Sequence, residues 1–324
     1  LQKRVLHSLM TGQMLSGFGV GSTFSVGAIL AEQLSGSAAW SGSASTFSTL
    51  GAAVWAIPLA RLAVARGRRV ALATGGAIAV TGAGTIILAA GMHSFAVLLL
   101  GLFCIGAASA ISLQARFTAT DLPSNRSAAR DLSLVVWATT AGAVIGPNLF
   151  GPGEIIGHAL NMPLYTGPFL FTITAQILST TVFWFGLRPD PLLTAKAASA
   201  DENKGQVRKT SFSSAIGVLK TNPTAAYAVA VIALSHMVMV SVMSMTPIHM
   251  KSHGATLVLV GFTISMHVAG MYAFSPLFGW LADRIGRLRT VVLGQLIYVA
   301  ALTTAGFGSE NHDLVVVGLF LLGL

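Results

Sequence analysis

Ionisable side chains within the long apolar runs of this sequence are few. His236 and His267 each lie inside an apolar run, and Glu32 stands near the end of another. Histidine titrates near neutral pH, and an ionisable group in an apolar setting is by default a functional candidate. We therefore take these three as candidates for proton or solute binding, with Gln13 and Asn148 as neutral hydrogen-bonding candidates. For each histidine the alternative is a hydrogen-bonded side chain at a contact between helices.

A second candidate is a basic turn between two apolar runs. Its glycine, acidic and basic residues are Gly279, Asp283, Arg284, Gly286, Arg287 and Arg289. The two glycines predict a tight turn, because they give the backbone the freedom that such a turn needs. The arginines favour the cytoplasmic boundary between lipid and water, and the carboxylate favours a cation or a helix N-terminus beside it.

A third candidate is a series of small residues in the fifth apolar run, Gly142, Gly146, Pro147 and Gly151. The four-residue spacing of Gly142 and Gly146 puts them on one helix face, so a neighbouring helix can approach closely. Pro147 lacks a backbone donor and permits a kink. The alternative is plain helix packing by small residues.

Composition places all of these candidates in a membrane. The chain is 54% hydrophobic and 9% charged, with a mean hydropathy of +0.76. A soluble domain carries about 25% charged residues. The net charge of +9 could indicate nucleic acid, but the basic residues lie in short turns and not on one face. A membrane with a basic cytoplasmic side is therefore predicted, and nucleic acid is not.

Nine apolar stretches are long enough to span a bilayer as helices, which takes about 20 residues each. They are His7–Leu30, Ser43–Ala65, Val70–Ala90, Phe95–Ala115, Leu132–Phe150, Tyr165–Leu187, Thr224–Thr246, Thr256–Leu281 and Thr290–Phe307. A tenth begins at Leu314 and has crossed roughly half a bilayer at Leu324. We expect about nine full spans and part of a tenth, in a chain truncated within a helix.

The distribution of basic residues predicts the orientation. Eighteen of the nineteen lysine and arginine residues fall on one side of the predicted spans, and Lys251 falls on the other. This puts the N-terminus and the central loop in the cytoplasm. Arg116, at the cytoplasmic end of the fourth span, is expected to snorkel to the lipid boundary. The polar segment 188–222 predicts a cytoplasmic linker between a six-helix bundle at 1–187 and a truncated bundle at 223–324.

The basic turn resembles the loop signature of the major facilitator superfamily, Gly-x-Leu-Ala-Asp-Arg-x-Gly-Arg. The stretch Gly142–Gly153 resembles the helix-five motif Gly-x-x-x-Gly-Pro-x-x-x-Gly of drug–proton antiporters in that family. The resemblance implies an all-α integral membrane fold of two six-helix halves, with the second half incomplete here. It also implies that Asp283 faces the start of the fifth helix, near Arg130, and helps to hold the cytoplasmic gate closed.

Two positions depart from the family pattern. Val64 stands where the first-half copy of the loop signature would have its aspartate. Leu102 stands four residues before Gly106, where the resemblance implies a buried arginine tied to proton coupling. The energy source is therefore open.

The resemblance implies a secondary active transporter of the plasma membrane, which exports small amphipathic or drug-like compounds by proton antiport and alternating access. The alternatives are an uptake permease for a small organic solute and an inactive, transporter-derived membrane protein. An enzyme is not predicted, because the sequence has no His-Glu-x-x-His or Gly-x-Ser-x-Gly motif. We expect a monomer with lipid, a small-molecule solute and protons as partners, and no cofactor or metal.

Overall fold

The computed structural model describes residues 2–122, 128–202, 217, 219–308 and 310–324. Within these ranges it describes the side chains of all residues except 20, 22, 24, 25, 128–130, 133, 143, 199–202, 275, 276, 279, 283 and 287. The described residues are nearly all helical, and no strand occurs among them. The helices are α1 (Gln2–Ser35), α2 (Ser43–Arg66), α3 (Arg68–Gly91), α4 (Phe95–Thr118), α5 (Ala128–Asn148), α6 (Phe150–Ala159), α7 (Pro168–Gly186), α8 (Pro191–Glu202), α9 (Pro223–Ser252), α10 (Leu257–Ala273), α11 (Ser275–Ile285), α12 (Arg287–Phe307) and α13 (His312–Gly323).

Length and hydropathy identify an integral membrane protein. Six helical segments of the described chain are long and apolar enough to cross a membrane. They are Ala38–Arg66, Arg68–Gly91, Phe95–Thr118, Pro168–Ala198, Pro223–Ser252 and Leu288–Phe307. The pair α5 and α6, bent by 52°, makes a seventh if it is one span, whereas α10 and α13 are shorter apolar helices. The number of nine full spans stays a prediction.

Two of the predicted spans are broken in the structure. The span predicted at Leu132–Phe150 divides between α5 and α6, directly after Pro147 and Asn148. The span predicted at Thr256–Leu281 divides at Phe274, between α10 and α11. Proline lacks the backbone donor of a continuing helix but fits the first turn of a new one, which is where α11 has it. A hydropathy pattern does not show such breaks, because both pieces remain apolar.

The first half packs around α1, which contacts α5 on one side and α7 on another, while α4 contacts α2 and α3. Glycines make these approaches possible. A Cβ at Gly142 would overlap the backbone oxygen of Met14 in α1, and a Cβ at Gly106 would overlap that of Ser48 in α2. Close backbone approach at small residues is how membrane helices associate.

The second half packs α10 and α12 against α13. Its core is the cluster Met250, Val260, Ile264, Val268, Val315 and Leu319. The turns at Gly67 and Gly286 lie at one end of the bundle, which we call the basic end. The opposite end, where α1 and α9 finish, is the far end. The core residue Met250 of α9 lies near the far end, whereas the part of α9 nearer the basic end is largely exposed.

Candidate functional site

The two halves have similar turns at the basic end. Gly67 ends α2 with a φ of 93°, and Gly286 ends α11 with a φ of 94°. Glycine adopts such angles without the steric cost that a Cβ brings. The structure therefore puts Gly286 in the predicted tight turn. Gly279 lies inside α11 instead, so the prediction that it also forms the turn is wrong.

The predicted gate at this turn involves side chains that lie outside the described part of the chain. Those of Asp283, Arg287 and Arg130 are among them. The guanidinium of Arg284 lies over the Trp280 ring, 5.1 Å from its centre, and Arg289 is exposed. The contact between Asp283 and the start of α5 stays a prediction.

The first-half turn carries an acidic residue from another part of the chain. The carboxylate of Asp190 accepts hydrogen bonds from the backbone N–H of Arg69, at 2.8 Å, and of Leu192 and Leu193, at 3.1 and 3.2 Å. It therefore caps the start of α3 and the start of α8 together. A Cβ at Gly67 would overlap this carboxylate, so glycine is required there for space as well as for its φ.

Sequence analysis missed this role of Asp190, although a signal was present. An aspartate directly before a proline, as in Asp190-Pro191, is typical of a helix start. A second bond joins α8 to the same turn, because the Lys196 ammonium donates to the backbone oxygen of Val64 at 2.8 Å. Part of the segment predicted as a linker is thus a helix attached to the first half.

The small residues of α5 face two different partners. Gly142 faces α1, as its overlap with Met14 shows. On the other side, the backbone oxygen of Pro147 faces Gly261 of α10, where an added Cβ would lie 2.6 Å from it. Gly146 is buried, and Gly151, which lies in α6, has room for a Cβ, with Val258 at 3.7 Å. Helix α5 therefore joins the core of the first half to the second half.

A hydrogen-bonded cluster, which we call the far-end clasp, links α5 to α10. The Asn148 side-chain amide donates to the Ser265 hydroxyl at 2.7 Å. That hydroxyl donates in turn to the backbone oxygen of Val144 at 2.6 Å. Ser265 is buried, and the Asn148 amide also lies 2.9 Å from the Val144 oxygen. The clasp thus holds the two halves together with partners that satisfy one another.

Further polar contacts join the halves toward the far end. The Ser244 hydroxyl of α9 donates to Ser45 of α2 at 2.7 Å. The Ser41 hydroxyl lies 3.3 Å from the sulfur of Met245. Sequence analysis did not predict these pairs, because a serine in an apolar run carries no information about its partner.

Toward the basic end, helices of both halves are exposed. Tyr227 and Ile232 of α9 are 63% and 69% exposed. Helix α1 exposes His7, Thr11 and Met14, which share one face by their spacing of four and three residues. We interpret the space between these exposed faces as a cavity that opens toward the basic end.

One arginine of the first half contacts the second half. The guanidinium carbon of Arg116, near the end of α4, lies 5.9 Å from the centre of the Tyr272 ring of α10. Sequence analysis predicted that Arg116 would snorkel to the lipid boundary. The structure instead places its charge between the two halves.

The two candidate histidines lie in different places. His267 is buried, and its Nδ1 lies 2.8 Å from the backbone oxygen of Leu319 in α13. A carbonyl oxygen only accepts, so Nδ1 carries the proton. This geometry fits the alternative of a hydrogen-bonded histidine at a helix contact. His236 lines a cleft of about 620 Å³ between α2 and α9, with Thr46 and Thr49 opposite.

The candidates Gln13 and Glu32 lie apart from both histidines. Gln13 is fully buried in the first half, where its amide donates to the Ser112 hydroxyl at 3.0 Å and to that of Thr139 at 3.4 Å. Glu32 lies half-buried in the last turn of α1, at the far end. The structure therefore does not bring the predicted titratable and polar candidates into one site.

Comparison with known proteins identifies the family. The family model described as Major Facilitator Superfamily matches residues 9–324. The chain is 35% identical over its whole length to the uncharacterized MFS-type transporter YdeG of Bacillus subtilis, and covers 75% of that protein. The riboflavin transporter RfnT of Brucella anthropi is 26% identical over 94% of this chain, which covers 74% of RfnT. The chain therefore belongs to the Major Facilitator Superfamily and is a multi-pass membrane transporter.

Solved structures share the fold. The xylose transporter XylE from E. coli, in a partially occluded inward open conformation, superimposes with a TM-score of 0.69 at 12% identity, over 99% of this chain and 81% of that one. A D-xylose-proton symporter gives a TM-score of 0.60 at 13% identity, over 99% of this chain and 79% of that one. The resemblance to this family in the turn and in α5 is thus confirmed at the level of family and fold. Proteins of this family are transporters, not enzymes.

Proposed function

We propose that the protein is a secondary active transporter that exports small amphipathic solutes by proton antiport through alternating access. The observation that carries this proposal is the contrast between the two ends of the cavity. At the far end the clasp of Asn148 and Ser265 and the Ser45–Ser244 pair hold the halves together. At the basic end we take the exposed Tyr227 and Ile232 to face an open cavity between the halves. Alternating access requires end states of this kind, closed on one side and open on the other.

The charge distribution supports the assignment of sides. Eighteen of the nineteen basic residues belong to the side that includes Gly67 and Gly286, and basic segments favour the cytoplasm. The basic end is therefore cytoplasmic, with the N-terminus and the 188–222 linker on that side of the plasma membrane. The conformation described above is then inward-facing.

The moving units are the bundles 1–187 and 223–324, in a transporter that acts as a monomer. Asp190 and Lys196 attach α8 to the first bundle, so the rest of the linker accommodates the movement. Helix α5 supports this mechanism, because it contacts α1 through Gly142 and α10 through Pro147. A change of bend at Pro147 changes the angle between these two contacts.

The helix-five residues Gly142, Gly146 and Pro147 favour export, because the motif that they resemble marks drug–proton antiporters. His236, in the cleft between α2 and α9, and His267, beside α13, are the proton-binding candidates within the spans. Uptake of a small organic solute is the second candidate. The energy source stays open for both candidates, because Leu102 stands where the resemblance implies the arginine tied to proton coupling.

Flux measurements in proteoliposomes test the proposal. Riboflavin is the first solute to try, because a relative is named as a riboflavin transporter. With a pH gradient imposed, an antiporter moves riboflavin against the direction of proton flow, whereas a symporter moves both together. A pH-sensitive dye inside the vesicles reports the protons, and an uncoupler is the control. Flux of riboflavin with the protons would contradict antiport. If riboflavin does not move, amphipathic dyes of either charge, such as cationic ethidium and anionic fluorescein, are the next solutes, and vesicles in which none of the three moves would contradict transport of this class.

A further inference from the structure

The guanidinium of Arg116 lies between the two halves. Arg116 lies two residues before the end of α4, in the first half, and its guanidinium carbon lies 5.9 Å from the ring centre of Tyr272, in the second half. Tyr272 stands about midway along the α10–α11 pair, next to the break. The guanidinium therefore lies between the halves, on the side of α4 that leads toward the middle of the membrane.

The guanidinium has hydrogen-bonding capacity that the protein leaves unused. The Nε atom of Arg116 is buried and has no hydrogen-bond partner among the described residues. Asp121, five residues further along the chain, is engaged by Arg68 through two bonds of 2.8 and 3.1 Å. No ion pair to Arg116 occurs within the described ranges. A buried donor without a partner is costly, so this position favours an acceptor from outside the chain.

The described acidic side chains at the basic end of the first half have other partners: Asp121 pairs with Arg68, and Asp131, at the start of α5, accepts a hydrogen bond from the Gln2 amide at 2.8 Å. All ten acidic residues of the chain lie within the first or last four residues of a helix, in α6 or α8, or between helices. None stands in the interior of a long apolar helix. The positive charge of the Arg116 guanidinium thus attracts anions to this position and repels cations.

We propose that Arg116 and Tyr272 form an anion-accepting subsite, which binds the carboxylate or phosphate group of an amphipathic solute on its way through the cavity. A guanidinium binds either group through two parallel hydrogen bonds, and the adjoining aromatic ring packs against the apolar part of the solute. This inference rests on the proposed transport function and specifies its solute class. It excludes purely cationic compounds as preferred solutes.

The charge of the subsite can be tested without a transport assay, by comparing how fast an anionic and a cationic thiol reagent label a cysteine beside Arg116. Leu113 is half-exposed and lies one turn before Arg116, so Leu113→Cys in a Cys104→Ser background gives a single thiol beside the guanidinium. The thiol is labelled with an anionic sulfonatoethyl or a cationic trimethylammonioethyl methanethiosulfonate. We expect Arg116→Gln to lower the ratio of anionic to cationic labelling rates by about tenfold. Arg66→Gln, which removes an exposed arginine at the end of α2, is the matched control and should leave the ratio unchanged.

Ligand protection tests whether an anion binds there. Benzoate and benzamide have the same shape, and only benzoate carries a charge. Benzoate should slow the labelling of Leu113→Cys by threefold or more at saturation, benzamide should not, and Arg116→Gln should abolish the difference. Nanodiscs of pure phosphatidylcholine exclude an anionic lipid from the site, and added phosphatidylglycerol shows whether a lipid headgroup occupies it.

The outcomes separate this inference from the transport proposal. An unchanged reagent ratio in Arg116→Gln, or the absence of selective protection by benzoate, would overturn the subsite even if riboflavin is transported. Protection by phosphatidylglycerol equal to that by benzoate would also overturn it, since the guanidinium would then be a lipid anchor. Selective protection without any riboflavin flux would support the subsite and count against riboflavin as the solute.

Discussion

Removal of the Ser265 hydroxyl is expected to open the far end of the cavity. This hydroxyl accepts from the Asn148 amide at 2.7 Å and donates to the Val144 oxygen at 2.6 Å. Both bonds join α5 to α10, so we expect them to break when the far end opens. Ser265→Ala removes both without adding volume.

The size of the effect follows from the bonds that remain. The Asn148 amide keeps its contact with the Val144 oxygen at 2.9 Å, so the substitution leaves no unpartnered amide. Each lost bond then contributes its ordinary net value of about 0.5–1.5 kcal/mol. The closed state therefore loses about 1–3 kcal/mol relative to the open one, which shifts the population by roughly 5- to 150-fold.

Cysteine labelling from outside measures this shift. Met14, on the exposed face of α1, is changed to cysteine in a Cys104→Ser background. An impermeant maleimide is then added to right-side-out vesicles. Ser265→Ala should raise the labelling rate by at least fivefold. Thr263→Val is the control, because the Thr263 hydroxyl donates to Leu259 of its own helix and, among the described residues, bonds to no other element. Equal rates in the Ser265→Ala variant and the parent would refute the clasp.

Three further predictions concern packing within each half. Gly142→Ala should lower the melting temperature in detergent and abolish transport, because the added Cβ overlaps the α1 backbone. Gly151→Ala is the control and should behave like the parent, because the nearest neighbour of its Cβ lies at 3.7 Å. Equal behaviour of the two variants would contradict the packing assigned to α5. Asp121→Asn should destabilise the first half by about 1–3 kcal/mol, because it weakens the two-bond ion pair with Arg68; an unchanged melting temperature would show that the pair contributes nothing. His267→Leu should lose the hydrogen bond to α13 and lower the melting temperature, whereas His267→Asn should keep a hydrogen-bond donor and the fold. If His267 also couples transport to protons, His267→Asn should lose only the proton-driven flux. Undiminished proton-driven flux in His267→Asn would exclude that role.

Membrane location and family could be predicted from the sequence because they depend on local properties. A run of apolar residues is a span wherever it packs, and the turn at Gly286 needs glycine for its own φ of 94°. The Gly142 face was predictable for the same reason, since four-residue spacing sets a helix face without knowledge of the partner. The breaks after Pro147 and at Phe274 were harder to predict, because hydropathy does not change across them.

Tertiary structure decided which side chains meet. Ser265 reads as one more small residue of an apolar run, and it joins the two halves only because Asn148, 117 positions away, lies opposite it. Arg116 lies near the end of an apolar run, as a snorkelling arginine does. Only the tertiary structure shows that its guanidinium points toward Tyr272 on the other half. His267 satisfied every sequence criterion for a titrating group, yet α13 places a carbonyl against its Nδ1. The physical reason is the same in each case. The sequence fixes the hydrogen-bonding capacity of a side chain, whereas the packing of distant helices decides which partner, if any, uses it.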